Sequence, residues 1–188
     1  MRVALIMSQI IITTPRLILR EWKEEDAVPF IKMNMDKEVM RFFPSTQTAE
    51  ESMVLIARVK AHFADYGYGA CAVERKDNGE FIGFTGLTHP RFESYFTPCV
   101  EIGWRLSKEN WGHGFATEAA TACLNHGFTS LGLEEIYSFT TTTNDPSMNV
   151  MKKIGMKHVG EFEHPGLPDG HILKTHVLYK ITRNDVGL

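Results

Sequence analysis

Trp111-Gly112-His113-Gly114-Phe115-Ala116-Thr117 joins a β-patterned run to a long amphipathic one, and the reading of that junction decides the fold. Upstream, Val100, Ile102, Trp104 and Leu106 fall on one face of a strand from Cys99 to Leu106, with Glu101, Gly103 and Arg105 on the other. Downstream, Ala116, Ala119, Ala120, Cys123, Leu124, Gly127, Phe128 and Leu131 trace one helical face. A strand, a glycine turn and a helix start in that order form an anion cradle. The first-turn N–H groups lack intrahelical partners, and glycine lets a phosphate come close to the backbone.

Two phosphate-binding readings fit poorly. A Walker loop needs Gly-Lys-Ser/Thr at the helix start, and here Gly114-Phe115-Ala116 stands there. A dinucleotide fingerprint needs a third glycine and an acidic residue after the next strand. Thr117 takes the glycine's place, and Glu134-Glu135 precede the strand.

Working outward, Ile10 to Trp22 reads as one strand interrupted at Pro15, followed by a helix opening on Glu24, Glu25 and Asp26. Thr48 and Glu51 have capping-box spacing for a second helix that Tyr66-Gly67 ends. Tyr68 to Glu74 and Phe81 to Leu87 flank an Asn78-Gly79 hairpin turn. Ile136 to Thr142 is a further strand, and Asp145-Pro146 reads as cap and first turn of a short helix ending at Gly155. Lys157 to Phe162 and Leu173 to Ile181 are closing strands. The order β-α-α-β-β-β-α-β-α-β-β predicts an α/β (α+β) fold, a mixed, mostly antiparallel sheet with helices on both faces. The unit over residues 99–142 requires parallel neighbours.

The chain has 188 residues, 43% hydrophobic and 23% charged, which suffices for one core over residues 1–188. Residues 1–8 read as a poorly specified extension, with Met1 and Met7 both open as natural starts. A net charge of −3, with no basic stripe, argues against a nucleic-acid partner. No apolar run reaches about 20 residues, so no transmembrane helix is expected. Cys71, Cys99 and Cys123 lack disulfide-framework or zinc spacing, which implies buried thiols in a reducing cytoplasm and no metal.

The stretch from Trp111 resembles the CoA-binding motif of GNAT acetyltransferases, Gln/Arg-x-x-Gly-x-Gly/Ala, with Gly114 and Ala116 on its last two positions and Trp111 in place of Gln or Arg. Thr14-Pro15-Arg16-Leu17-Ile18-Leu19-Arg20, Glu101-Ile102-Gly103-Trp104, Asn144-Asp145-Pro146-Ser147 and Lys153-Ile154-Gly155-Met156 are similar to the branch containing the bacterial ribosomal-protein (alanine) N-terminal acetyltransferases. The resemblance implies acetyl-CoA as co-substrate and a primary-amine acceptor, either a protein N-terminus or a small molecule such as an amino acid, polyamine or amino sugar. A non-catalytic acyl-CoA sensor is the alternative on the same fold. It further implies a cradle from Trp111, Gly112, His113, Gly114, Phe115, Ala116 and Thr117, with Lys153 facing phosphate and Asn144 orienting pantetheine. Main-chain groups of Trp104, Arg105 and Leu106 would be offered by a strand bulge that Gly103 permits.

Acetyl transfer to an amine requires loss of an amine proton, donors for the oxyanion and a proton for the departing thiolate. Glu101 is the candidate base, with His89, His113, His164, His171 or a water chain as rivals. Ser147 is the candidate acid. Phe42, Phe43, Tyr68, Phe92, Tyr95 and Phe96 are placed to flank acceptor entry. The turn-rich stretch 164–171 is a candidate acceptor wall or homodimer contact.

Overall fold

The computed structural model describes residues 9–187, so the expectations about residues 1–8 lie outside it. β1 (Ile10–Thr13) and β2 (Leu17–Arg20) form an antiparallel hairpin rather than one interrupted strand. Pro15 has no N–H for a ladder, and the Thr14 N–H donates to Leu17 O at 3.0 Å, closing a turn that reverses the chain.

α1 (Ala27–Met35) and α2 (Ala49–Tyr66) follow, α2 carrying the expected Thr48–Glu51 capping box and ending at left-handed Gly67. Next come β3 (Ala70–Arg75), β4 (Phe81–Thr88), β5 (Glu101–Leu106), α3 (Phe115–Thr129), β6 (Glu135–Thr141), α4 (Asp145–Lys153), β7 (Lys157–Glu163) and β8 (Thr175–Thr182). The cap of α4 is Asn144, not Asp145: its Oδ1 accepts from the Ser147 N–H at 3.2 Å, which puts Pro146 at the second helical position.

Eight strands form one sheet in the order β1-β2-β3-β4-β5-β6-β8-β7. Every neighbouring pair is antiparallel except β5–β6. One face carries α3 over Leu87, Ile102, Leu106, Ile136 and Ile181; the other carries α1 and α2 over Trp22, Ala72 and Phe84. The mixed sheet with helices on both faces is as the sequence predicts.

The bulge expected in β5 is absent. Its six residues pair one for one with β4, from Glu101↔Thr88 to Leu106↔Gly83. The irregularity lies across β4 instead, where the β3–β4 register shifts between Val73 and Glu74. Gly83 sits there at φ 137°, and a Cβ on it would lie 2.1 Å from the Arg105 carbonyl oxygen. Only glycine allows β5 to pack so closely at that point.

Candidate functional site

The parallel ladder between β5 and β6 consists of a single pair, Glu101↔Tyr137. Around it the Val100 carbonyl accepts from the Tyr137 N–H at 2.9 Å and the Ile102 carbonyl from the Ser138 hydroxyl at 2.9 Å. Beyond these bonds the strands part. Main-chain groups alternate sides along a strand, so Trp104 and Leu106, in phase with Val100 and Ile102, turn theirs into the split. The Ser107 N–H bonds Ile82 O at 2.9 Å on the β4 side, consistent with that phase. Arg105 therefore differs from the expectation that grouped it with Trp104 and Leu106, because its main chain faces β4. Across the split, Thr141 Oγ1 at the end of β6 is buried and has no partner among the described residues.

At the mouth of the split stands the glycine loop. Gly112 and Gly114 adopt φ 76° and 79°, and Gly114 caps α3 without a side-chain bond. Among the described residues, no N–H from Gly112 to Thr117 has an acceptor; the first α3 bond is from the Glu118 N–H to Gly114 O at 3.0 Å. A Cβ at Gly114 would meet only Arg16 Nη2, at 3.5 Å, so the cradle is open. Trp111 offers more than backbone: its indole N–H donates to Leu106 O at 2.8 Å and tethers the loop to β5. His113 is exposed and Phe115 buried, with Ala116 and Thr117 between these extremes. The open N–H groups of the loop fit a phosphate in chemistry, and the free main-chain edge at Trp104 fits an extended amide-bearing chain.

Three arginines around the loop escaped sequence reading. Arg16 donates from Nη1 to His113 O at 2.9 Å and from Nε to Glu118 Oε2 at 2.6 Å, and its guanidinium lies 4.6 Å from the Phe115 ring centroid. Arg75 lies 5.4 Å from the same ring, and Arg41 is 4.9 Å from that of Trp111. None shares a local period with the loop: Arg16 stands in the sequence only within the family-like stretch Thr14–Arg20, without a role, and Arg41 and Arg75 carry no signal.

Glu101 is half-buried on the α1/α2 face, and its carboxylate has no hydrogen-bond partner among the described residues. Burial lifts its pKa from an ordinary 4.5 to about 8, the range a base for amine deprotonation needs. Ser147 stands in the first turn of α4, its hydroxyl without a hydrogen-bond partner among the described residues, while Asn144 Nδ2 donates to Thr140 Oγ1 at 2.8 Å. Lys153 is exposed in the last turn of α4 and makes no hydrogen bond or ion pair with the loop among the described residues.

The rival histidines are spread out. His89 bonds His62 and Tyr68, and His171 Nδ1 accepts from the Leu173 N–H at 3.1 Å. His164 joins Phe92, Phe139, Phe162 and His176 in one aromatic cluster, where burial and then His176 lower its pKa. Phe92 and Phe96 pack into that cluster, whereas Tyr95 is 71% exposed. Phe43 lies instead against Arg105, at 4.3 Å.

Among the described residues no helix is long and apolar enough to cross a membrane, and no group of three or more His, Cys, Asp or Glu could hold a metal.

The family model for the acetyltransferase (GNAT) domain matches residues 16–157. An uncharacterized N-acetyltransferase of Bacillus subtilis, YnaD, is 33% identical over 154 residues, covering 81% of this chain and 85% of its own. A GNAT-family acetyltransferase structure from Bacillus anthracis matches with a TM-score of 0.77 and 25% identity, covering 92% of this chain and 98% of that one. The ribosomal-protein-S5-alanine acetyltransferase of Vibrio fischeri shares the fold at a TM-score of 0.73 and 19% identity, covering 94% and 98%. With its anion cradle beside a split parallel strand pair, and with a family match over most of its length, this chain belongs to the GNAT acetyltransferase family.

Proposed function

We propose that this N-acetyltransferase, acting as one domain in a cytoplasmic setting, moves the acetyl group of acetyl-CoA directly to a primary amine within a ternary complex. The observation that carries the reading is the run of unpartnered N–H groups from Gly112 to Thr117 at the open end of the β5–β6 split. Bound acetyl-CoA supplies an activated thioester carbonyl. The main-chain N–H of Trp104 is in phase to donate to its oxygen as charge develops. Glu101 takes the proton from the amine, and the Ser147 hydroxyl donates one to the departing sulfur. As the nitrogen–carbon bond forms, the carbon–sulfur bond breaks, and Ser147 regains its proton from solvent while Glu101 releases the amine's proton to it. Cys123 is buried in the α3 core, and burial raises its pKa well above the ordinary range, so an acetyl-cysteine route has no support. Buried Cys71 and Cys123 suit a reducing compartment.

The Vibrio fischeri neighbour bears the name of an enzyme acting on a ribosomal protein, which keeps a protein N-terminus in view beside small amines. The test pairs calorimetry with thiol release. Acetyl-CoA at about 100 times its dissociation constant should add about 2.7 kcal/mol of stability, and CoA should appear in proportion to acetylated amine. Failure to bind acetyl-CoA would sink the reading; tight binding without turnover over an amine panel would favour a sensor.

A further inference from the structure

Arg105 is a half-buried cation with no anion beside it among the described residues. Its Nη1 donates to Asn34 Oδ1 at 2.7 Å, and its guanidinium lies 4.3 Å from the Phe43 ring centroid and 5.5 Å from that of Phe84. Its Nε is buried and unbonded, and no carboxylate pairs with it among the described residues. Burying an ion without a counter-charge is costly. Desolvation lowers the Arg105 pKa to about 10, which still leaves it charged at neutral pH. The neighbouring pattern is similar. Asn34 spends its amide on Arg105 and on Ser52 Oγ at 3.0 Å, and its carbonyl accepts from the Gln47 N–H at 3.0 Å. Gln47 Oε1 is likewise buried without a partner. A donor and an acceptor thus wait on either side of Asn34.

The position of Arg105 matters as much as its charge. It shares a face of β5 with Gly103 and Glu101, the face under α1 and α2 and opposite α3. A Cβ on Gly103 would have only Glu101 Oε1 within 4 Å, at 3.8 Å, so the strand between the two charged residues is bare. The pyrophosphate cradle has its own cations, Arg16 and Arg75, against Phe115 of α3. Arg105 stands apart from these, on the same face as Glu101, so with Glu101 as the base it faces the amine acceptor rather than the cradle.

The geometry points to an acceptor that carries a carboxylate a few bonds from its reacting amine, with Arg105 as the residue that binds it. This rests on the transferase reading and narrows its substrate class. A guanidinium fork suits a carboxylate, and a polyamine would set a second cation against it. The carboxylate can belong to a free amino acid or to an acidic residue at a peptide N-terminus, so the test separates these sources.

The experiment measures kcat/KM by thiol release for L-alanine against L-alaninamide, for Asp-Ala-amide against Ala-Ala-amide, and for spermidine, each corrected for its free-base fraction. The acid of at least one pair should exceed its neutral partner by about tenfold or more. Arg105→Met should erase that preference with CoA affinity unchanged, and Arg105→Lys should retain part of it. The lysine variant reads the same ratio if the methionine variant does not fold. Equal rates within both pairs overturn the inference. So does a variant that loses CoA affinity and keeps the preference. Calorimetry of L-alanine and Asp-Ala-amide on CoA-saturated protein separates the two readings. Heat that vanishes in Arg105→Met, without turnover, upholds the carboxylate site and removes the transferase. Absence of both heat and turnover overturns the carboxylate site.

Discussion

Arg16 Nε and Glu118 Oε2 lie 2.6 Å apart although the residues are 102 positions apart in sequence, and the same arginine holds the His113 carbonyl. The pair spans the turn after β1 and the first turn of α3, so it fixes the loop whose N–H groups form the cradle. Its groups are partly exposed, and its contribution is positional rather than one of bulk stability.

Arg16→Ala should accordingly weaken acetyl-CoA binding by about tenfold, on the scale of one charge-assisted hydrogen bond, while the melting temperature changes little. Calorimetry beside a thermal melt checks both halves. A large drop in melting temperature with unaltered affinity would contradict the role.

Gly114→Val is expected to abolish CoA binding. Gly114 holds φ 79°, a left-handed conformation costly for a β-branched residue, and the added side chain would stand over the N–H groups of α3. Circular dichroism should remain that of a folded chain while the ligand-induced thermal shift disappears.

Glu101→Gln tests the base. The variant should lose about 10²–10⁴-fold in kcat, and the acidic limb of kcat/KM, set near pH 8 by the carboxyl, should go with it. A limb that survives belongs to the substrate amine. The stability sign is separate. Because the folded pKa is raised above 4.5 to about 8, the native state keeps a proton that the unfolded chain releases across that window. Wild type should therefore lose stability relative to Glu101→Gln as pH rises from about 4.5 to 8, which chemical denaturation at two pH values can read.

Ser147→Ala should slow turnover with acetyl-CoA affinity unchanged if the hydroxyl protonates the leaving thiolate. Asn144→Ala differs, since it removes the cap of α4 and should cost about 1 kcal/mol of stability. Comparing kcat, affinity and denaturation midpoint across the two variants distinguishes chemistry from support.

Local patterns made much of this fold readable. The Thr48–Glu51 box and the alternation through Ile102 and Leu106 each lie within a few residues and stand as read, whereas the hairpin expected at Asn78-Gly79 is present as a longer turn: Gly79 alone has positive φ, and its N–H donates to Arg75 O at 2.9 Å. What misled was also local. Pro15 looked like a break in one strand because the hydrogen bond from Thr14 to Leu17 that turns the chain leaves no composition signature. The bulge was placed at Gly103, although the glycine that answers a backbone approach is Gly83 on the next strand. At the site, Gly112 and Gly114 were legible by spacing. The Arg16–Glu118 and Arg105–Asn34 contacts were not, because they join residues with no shared period.

The single pair between β5 and β6 has a mechanical consequence. Five strands, β1 to β5, form one continuous antiparallel ladder, and β6, β8 and β7 form another. Among the described residues, the hydrogen bonds between these two sets of strands lie near Glu101–Tyr137 and Ser138–Ile102, on a seam that α3 covers on one face and that a bound pantetheine would bridge. Unliganded protein should then exchange amide hydrogens in two partly independent units, with early deuteration along the seam. With CoA bound, protection should rise on both sides together, making the ligand a coupling element between two subunits of stability within one sheet.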